Sequence, residues 1–446
     1  VTELLAAAWA GTGAGALVDD HALLTAMLAT EVALAEAQAE LGVIPEEAAK
    51  AIRAAAVPER LDVAAVADGV RETANPVVAF VAQLTAAVDE SAAEYVHRGS
   101  TSQDILDTAL VLLCAAAFDR VEADLLATAE SLAGLVEAHR DTPMAGRTLT
   151  QHAVPVTFGL KAATWLHGVL DAVERVRRTR AALPVSLGGA AGTLAAYHEY
   201  AEAALSRESA GSALPDRVAA KLGLAPQVAP WHGIRTPIAD VASALLVTTG
   251  ALGKIANDVL VLSRTEIGEV TEERAPGRGA SSAMPQKHNP VFATLVATAA
   301  RQLPPLAVVL FQSMTAEDER SAGGWHAEWQ PLRECLRTAA GAAANAARLT
   351  ASLRVSPEAM AANLRLTRGA IVSERVNAVL APVLGKGAAK RLLAAAAAEA
   401  ERTGADLVDV LDVDVPPDLL DPAGYLGLSG PLADRALARF ERERHR

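Results

Sequence analysis

From Ile238 onward the apolar residues Val241, Leu245, Leu252, Ile255, Val259 and Leu262 recur at helical spacing, which amounts to about seven turns at 3.6 residues each. A helix of that length cannot bury such a stripe alone, so other long helices must lie along it and a bundle is implied. The sequence supplies them. Ile105 to Arg140 reads as a second long helix, and Asp20 to Leu41 carries Leu23, Leu24, Met27, Leu28, Val32 and Leu34 among alanines before Gly42 and Pro45. A further helix follows Pro155 and runs through Arg180. Hydrophobic residues make up 51% of the chain but aromatics only 3%, so the helices must pack through small side chains, alanine and leucine above all. A length of 446 residues allows about three domains with ample core.

Charge and cysteine content narrow the function. Forty basic residues against 53 acidic ones give a formal charge of −13, and no basic stripe is present, so nucleic acid is not an expected partner. Any anionic substrate must be met by a few local cations. Cys114 and Cys335 sit in helical patterns far apart in sequence, without the Cys/His spacing of zinc sites; both are expected to be buried, reduced thiols, and no metal or other cofactor is expected. The N-terminal stretch lacks the basic start and apolar run of a signal peptide, and no uninterrupted apolar stretch is long enough to cross a bilayer. A cytoplasmic protein without a membrane partner is expected. The glycine-rich segment from Leu183 to Ala196 lacks the spacing of a dinucleotide fingerprint and the Gly-Lys-Ser/Thr of a P-loop, so it reads as close packing or a turn.

One loop concentrates chemistry. Gly277-Arg278-Gly279-Ala280-Ser281-Ser282-Ala283-Met284-Pro285-Gln286-Lys287-His288-Asn289-Pro290 combines residues free to adopt unusual backbone conformations with a hydroxyl, an amine and an amide. It offers a nucleophile or base in Ser281 or Ser282, a fixed cation in Lys287 and a neutral donor and acceptor in Asn289. Lys287 and Asn289 stand just before a proline suited to a first helical turn. That placement sets an ammonium and an amide beside helix N–H groups and suits a carboxylate.

Ser-Ser-x-Met-Pro-x-Lys-x-Asn-Pro resembles the signature of the fumarase/aspartase superfamily, whose members remove a group beta to a carboxylate. The resemblance implies an all-α fold of three domains, here 1–100, 101–350 and 351–446, with a long central bundle. It also implies a homotetramer in which three subunits meet at each active site. It assigns the base to Ser281, the first serine of the pair, and carboxylate binding to Lys287 and Asn289. His288 falls at a variable position and reads as a surface histidine.

Two other stretches resemble the remaining signatures. Thr101-Ser102-Gln103-Asp104, followed by Asp107-Thr108-Ala109, would be a sound helix cap in any protein; the resemblance makes Thr101 and Ser102 donors to a substrate carboxylate. Gly146-Arg147-Thr148-Leu149-Thr150-Gln151-His152 brings Thr148 and Gln151 into contact with substrate. Asn75, in the polar loop Thr73-Ala74-Asn75-Pro76, and Arg320 complete the implied substrate-binding set. Many members carry a histidine, as general acid, where this chain has Leu149. His152 is the candidate to replace it.

Pro230-Trp231-His232, Leu187-Gly188-Gly189-Ala190, the charged run from Glu317 to Trp329 and the region from Asp421 to Gly427 resemble the 3-carboxy-cis,cis-muconate cycloisomerase branch. The tryptophans of the charged run read as a packed corner or a pocket wall. A leaving carboxylate needs no proton, so Leu149 agrees with that branch. Ala280, Gln286 and His288 depart from it. The alternative is a lyase that releases fumarate from a substituted succinate, with nitrite or an amine as the group lost. In every case the substrate is a small di- or tricarboxylate. A non-catalytic scaffold is the rival from another class, and intact Ser281, Lys287 and Asn289 speak against it.

Overall fold

The computed structural model describes residues 3–205, 209–280 and 283–445. The chain is predominantly helical. Its long helices are α1 (Asp20–Glu40), α2 (Ser102–Ala138), α3 (Phe158–Ala181), α4 (Thr236–Leu262), α5 (Val291–Gln312) and α6 (Gly324–Ala351). Side-chain caps mark where two of them start. Asp19 caps α1 by accepting the Ala22 N–H at 2.9 Å, and Ser321 Oγ accepts the Trp325 N–H at 2.9 Å at the head of α6.

The expectation of helices alone needs one correction. Among the described residues the chain also forms two antiparallel ribbons, β1 (Pro143–Thr148) with β2 (Gln151–Thr157), and β3 (Val270–Glu272) with β4 (Leu353–Val355). Both lie in segments that flank the long helices, and each buries part of its length: Met144 and Ala145 in the first, Val270, Glu272 and Leu353 in the second.

Two compact units result, each assembled from three segments. The first comprises Val1–Ala123, Ala172–Gly250 and Thr298–Ala344. Its core holds Leu110, Phe118, Val121, Leu245, Leu303, Leu310, Leu332 and Leu336, all essentially inaccessible. The second comprises Asp124–Asp171, Ala251–Ala297 and Asn345–Arg446, with Leu132, Phe158, Leu166, Leu252, Val259 and Val296 buried. A smaller cluster of Val376, Leu380, Ala389, Leu393 and Leu407 closes its C-terminal helices. Cys114 and Cys335 are free and buried in the first unit, where burial pushes both thiols up and out of the reactive range.

Among the described residues three helices reach the length and mean hydropathy of a bilayer crossing: Ala14–Glu40, Thr236–Leu262 and Val291–Gln312, with 61%, 50% and 33% of their most apolar stretch buried within the protein. None is uninterrupted, since Glu31, Asp240, Lys254 and Arg301 fall inside them. Glu31 is buried and pairs with His97, whose Nδ1 lies 2.6 Å away. Burial alone would lower the His97 pKa, but the attraction and hydrogen bond of Glu31 raise it. The last helix leaves Val308 and Phe311 exposed, followed by Met314.

Candidate active site

In the second unit, β1 and β2 are joined by the two residues Leu149 and Thr150, with Thr148 and Gln151 facing each other across the turn. Both turn residues have positive φ, 47° and 73°. That is the geometry of a type I′ turn, which normally takes Asn-Gly. A leucine and a β-branched threonine there cost about 1 kcal/mol or more each. Leu149 is also 96% exposed, so neither strain nor exposure of this apolar side chain serves the hairpin itself. The Gln151 Nε2 reaches Thr150 Oγ1 at 3.4 Å.

The hairpin is pinned one residue below its tip. Arg147 donates from Nη1 and Nη2 to Glu269 Oε2 and Oε1 at 2.9 and 2.7 Å, and Asn363 Nδ2 adds a bond to Oε1 at 2.8 Å. His152 stands opposite Arg147 in the register. Burial and the Arg147 charge hold its pKa below the ordinary histidine value, with Glu269 pulling the other way. Its Nδ1 is buried without a hydrogen-bond partner among the described residues.

The Gly277–Pro290 loop closes on itself at its base. The Asn289 N–H donates to Gly279 O at 3.0 Å, and Ala280 and His288 form an antiparallel bridge. Gly279 has φ 69°, and a Cβ there would fall 2.6 Å from the Asn289 carbonyl oxygen, so only glycine fits. Lys287 is exposed and Asn289 half-buried. His288 is half-buried, not a free surface residue: it lines a cleft of about 320 Å³ with Thr271, Glu273, Arg274 and Arg354. Ser281 and Ser282 lie outside the described residues.

One expectation narrows here. Two N–H groups in the first turn of α5 are not left for a substrate carboxylate, because Glu272 accepts those of Phe292 and Ala293 at 3.1 and 2.8 Å. The protein's own acid occupies the positive end of the helix.

The first unit assembles the other signature. Thr101 precedes α2, and its N–H donates to Asp104 Oδ2 at 3.1 Å, the reciprocal half of a capping box. Ser102 opens the helix. Arg320 donates from Nη2 to Thr101 Oγ1 at 3.2 Å and from Nε to Gln103 Oε1 at 2.8 Å. Asn75 is not part of this group. Its Oδ1 accepts the Val77 N–H at 3.0 Å and its Nδ2 reaches Thr73 O at 3.3 Å, so its polar atoms shape its own loop.

Beneath Thr101 lies a buried polar layer that the sequence reading did not anticipate. Asp104 accepts from Gly188 N at 2.6 Å, Gly189 N at 3.1 Å and Tyr197 Oη at 2.9 Å. His232 Nε2 lies 2.9 Å from Asp104 Oδ1, but off the hydrogen-bonding axis. The glycine segment is therefore close packing, as read; a Cβ on Gly188 would meet His232 at 2.8 Å. Asp107 receives both Arg235 Nη groups at 2.8 and 3.0 Å, Trp325 Nε1 at 2.8 Å and Gln103 Nε2 at 3.1 Å. Glu328 takes the remaining edge of Arg235. Trp325, His326 and Trp329 pack edge to face or tilted with centroids 4.7 to 5.3 Å apart, which makes this tryptophan segment a packed corner. The only sequence signal for this layer was acids at apolar phase in a helix, Asp104 and Asp107 beside Ile105 and Leu106.

Comparison with known proteins accounts for these features. A family model described as lyase matches residues 16–304. Nitrosuccinate lyase of Streptomyces davaonensis is 55% identical, with 98% of this chain and 95% of that protein aligned. The 3-carboxy-cis,cis-muconate cycloisomerase of Bradyrhizobium diazoefficiens is 39% identical over 99% of both chains. The crystal structure of the 3-carboxy-cis,cis-muconate lactonizing enzyme from Pseudomonas putida superposes with a TM-score of 0.90, at 37% identity, over 99% of both chains. The long helices, the three signature segments and these relationships lead to one conclusion: the chain belongs to the lyase family of the fumarase/aspartase superfamily and is an enzyme of the lyase or cycloisomerase kind.

Proposed function

We propose that this enzyme uses Ser281 to take a proton from the carbon beside a carboxylate and expels a group that departs without being protonated. The observation that carries this is Leu149, an exposed apolar residue on a strained turn flanked by Thr148 and Gln151, at the position where relatives of the superfamily often place an acid. His152 supports the same reading, because burial and the Arg147 charge lower its pKa and so disfavour the imidazolium that would donate a proton. Thr101, Ser102, Thr148, Gln151, Lys287 and Asn289 would hold the substrate carboxylates, with Arg320 supplying positive charge beside Thr101. A hydroxyl is a poor base unless water is excluded and the dianion formed on carbon is met by donors and cations, so these groups must tighten as charge develops.

Two substrates satisfy the leaving-group condition. A 3-carboxy-cis,cis-muconate cycloisomerase closes or opens a lactone through a carboxylate oxygen, and the full-length superposition at TM-score 0.90 supports it. A nitrosuccinate lyase loses nitrite and forms fumarate, and the 55% identity of that relative supports it. The two readings stand level, and neither needs a cofactor. Presenting nitrosuccinate, 3-carboxy-cis,cis-muconate and an amino-linked succinate separately, with nitrite, lactone and fumarate measured, decides between them. Activity confined to the amino-linked succinate would overturn the leaving-group reading.

We infer in addition that the protein is a soluble homotetramer with shared sites. The uncovered apolar side chains Val247, Val308, Phe311 and Met314 support it. Dissociating and remixing inactive Thr148→Ala and Ser281→Ala proteins should restore partial activity; verified mixed tetramers without activity would refute shared sites.

A further inference from the structure

We propose that Glu272 and Arg278 are positioning residues that clamp the two feet of the Gly277–Pro290 loop and so set Lys287 and Asn289 against the substrate. The proposal rests on the reading that this loop holds a carboxylate.

Glu272 is fixed before it touches the loop. It ends β3, pairs with Leu353 of β4 and is only 3% exposed. Its carboxylate takes the Phe292 and Ala293 N–H groups, an anion at a helix N-terminus where the dipole strengthens the bond. Asn289 is three residues upstream of Phe292, so the far foot of the loop is held to the ribbon.

Arg278 holds the near foot against the same two elements. Its Nη2 donates to Glu273 O at 2.8 Å, and its guanidinium lies 5.0 Å from the centre of the Phe292 ring. Phe292 is thus shared, giving its N–H to Glu272 and its ring face to Arg278. Gly277 and Gly279, with φ 75° and 69°, flank Arg278 and let the chain turn there. The Asn289 N–H to Gly279 O bond ties the feet together. A helix cap alone would need Glu272 but not Arg278, and would not bring both feet to one phenylalanine.

Glu272→Gln tests this. The amide keeps one acceptor and turns its NH₂ against the other N–H, so one anchor is lost. Displacing catalytic groups by about 1 Å typically costs about 10²-fold in rate, so kcat should fall and KM rise together, with kcat/KM down by that order. Trypsin should cut after Lys287 faster than in the wild type. Arg278→Met removes the guanidinium that lies on Phe292 and bonds Glu273 and should shift both readouts the same way; it serves if Glu272→Gln fails to fold. A merely structural role would lower the thermal midpoint and the active fraction while leaving KM and the trypsin rate of the folded protein unchanged, and that result overturns the clamp. If Lys287→Met costs nothing on any active substrate, the carboxylate-holding reading fails instead.

Discussion

Arg147 and Glu269 form a two-pronged ion pair at 2.9 and 2.7 Å, with the acid fully buried and the base directly before Thr148. This pair joins the strained turn to the segment that leads into β3. Removing one partner of a buried pair leaves the other charge uncompensated, at about 3 kcal/mol or more. Glu269→Gln should therefore lower unfolding free energy by about 3 kcal/mol in urea titration, and Arg147→Met with Glu269→Leu should recover much of it. A change below about 0.5 kcal/mol, the level of an ordinary surface substitution, would mean that the pair adds nothing.

Glu328 makes stability depend on pH. Burial pushes its carboxyl up, Arg235 pulls it down and Asp107 pushes it up again, with the balance at about 7. One guanidinium faces two buried acids, so a negative charge is in excess. Because the folded pKa lies above the ordinary 4.5, the folded state binds more proton between pH 4.5 and 7. Stability must fall as pH rises through that window, by up to about 1.4 kcal/mol per pH unit. Glu328→Gln keeps an acceptor for Arg235 and removes the titration, so its advantage over wild type should grow from pH 5 to 7.5. Parallel curves for the two proteins would refute this.

Much of the fold was legible because hydrophobic periodicity is a local signal. Leu245 to Leu262 fixes α4, and Gly42 stops α1 close to where the structure ends it. The hairpin was not legible, since Leu149-Thr150 is the reverse of what a two-residue turn asks for. Nor was the role of Glu272, which caps a helix beginning nineteen residues later, at Val291. The Gly188, Gly189 and Tyr197 donors to Asp104 lie 84 to 93 residues away in sequence, so no window of spacing could reveal them. Thr101 was legible twice over, as cap and as signature, and its bond to Arg320 connects two residues chosen separately.

Within the Gly277–Pro290 loop the expected losses differ in kind. Ser281→Ala should lower turnover by roughly 10²-fold or more with the fold intact, since general base catalysis is worth roughly 10² to 10⁴. Lys287→Met should weaken binding and turnover together, by roughly 2–4 kcal/mol of transition-state stabilisation in a water-excluded site. Steady-state kinetics beside a thermal melt separates these from misfolding. Wild-type turnover in Ser281→Ala would remove it as the base, and a loss confined to the melt would make Lys287 structural.

Leu149 tests the leaving group. If nitrite or a carboxylate departs unaided, Leu149→His adds an acid that the reaction does not use, so activity on the native substrate should not rise. The same variant should gain weak activity on an amino-linked succinate, because a positioned imidazole is worth roughly 10² to 10⁴ in rate. His152 is the rival donor, and its lowered pKa works against it. An imidazole that stays neutral in the fold gives up stability as pH drops below its unfolded value, so His152→Gln should blunt the acid loss of stability below about pH 6.5. It should leave the pH profile of kcat unchanged. If His152→Gln instead abolishes an alkaline limb of that profile along with most of the turnover, a proton is donated after all, and the substrate is an amino-linked succinate.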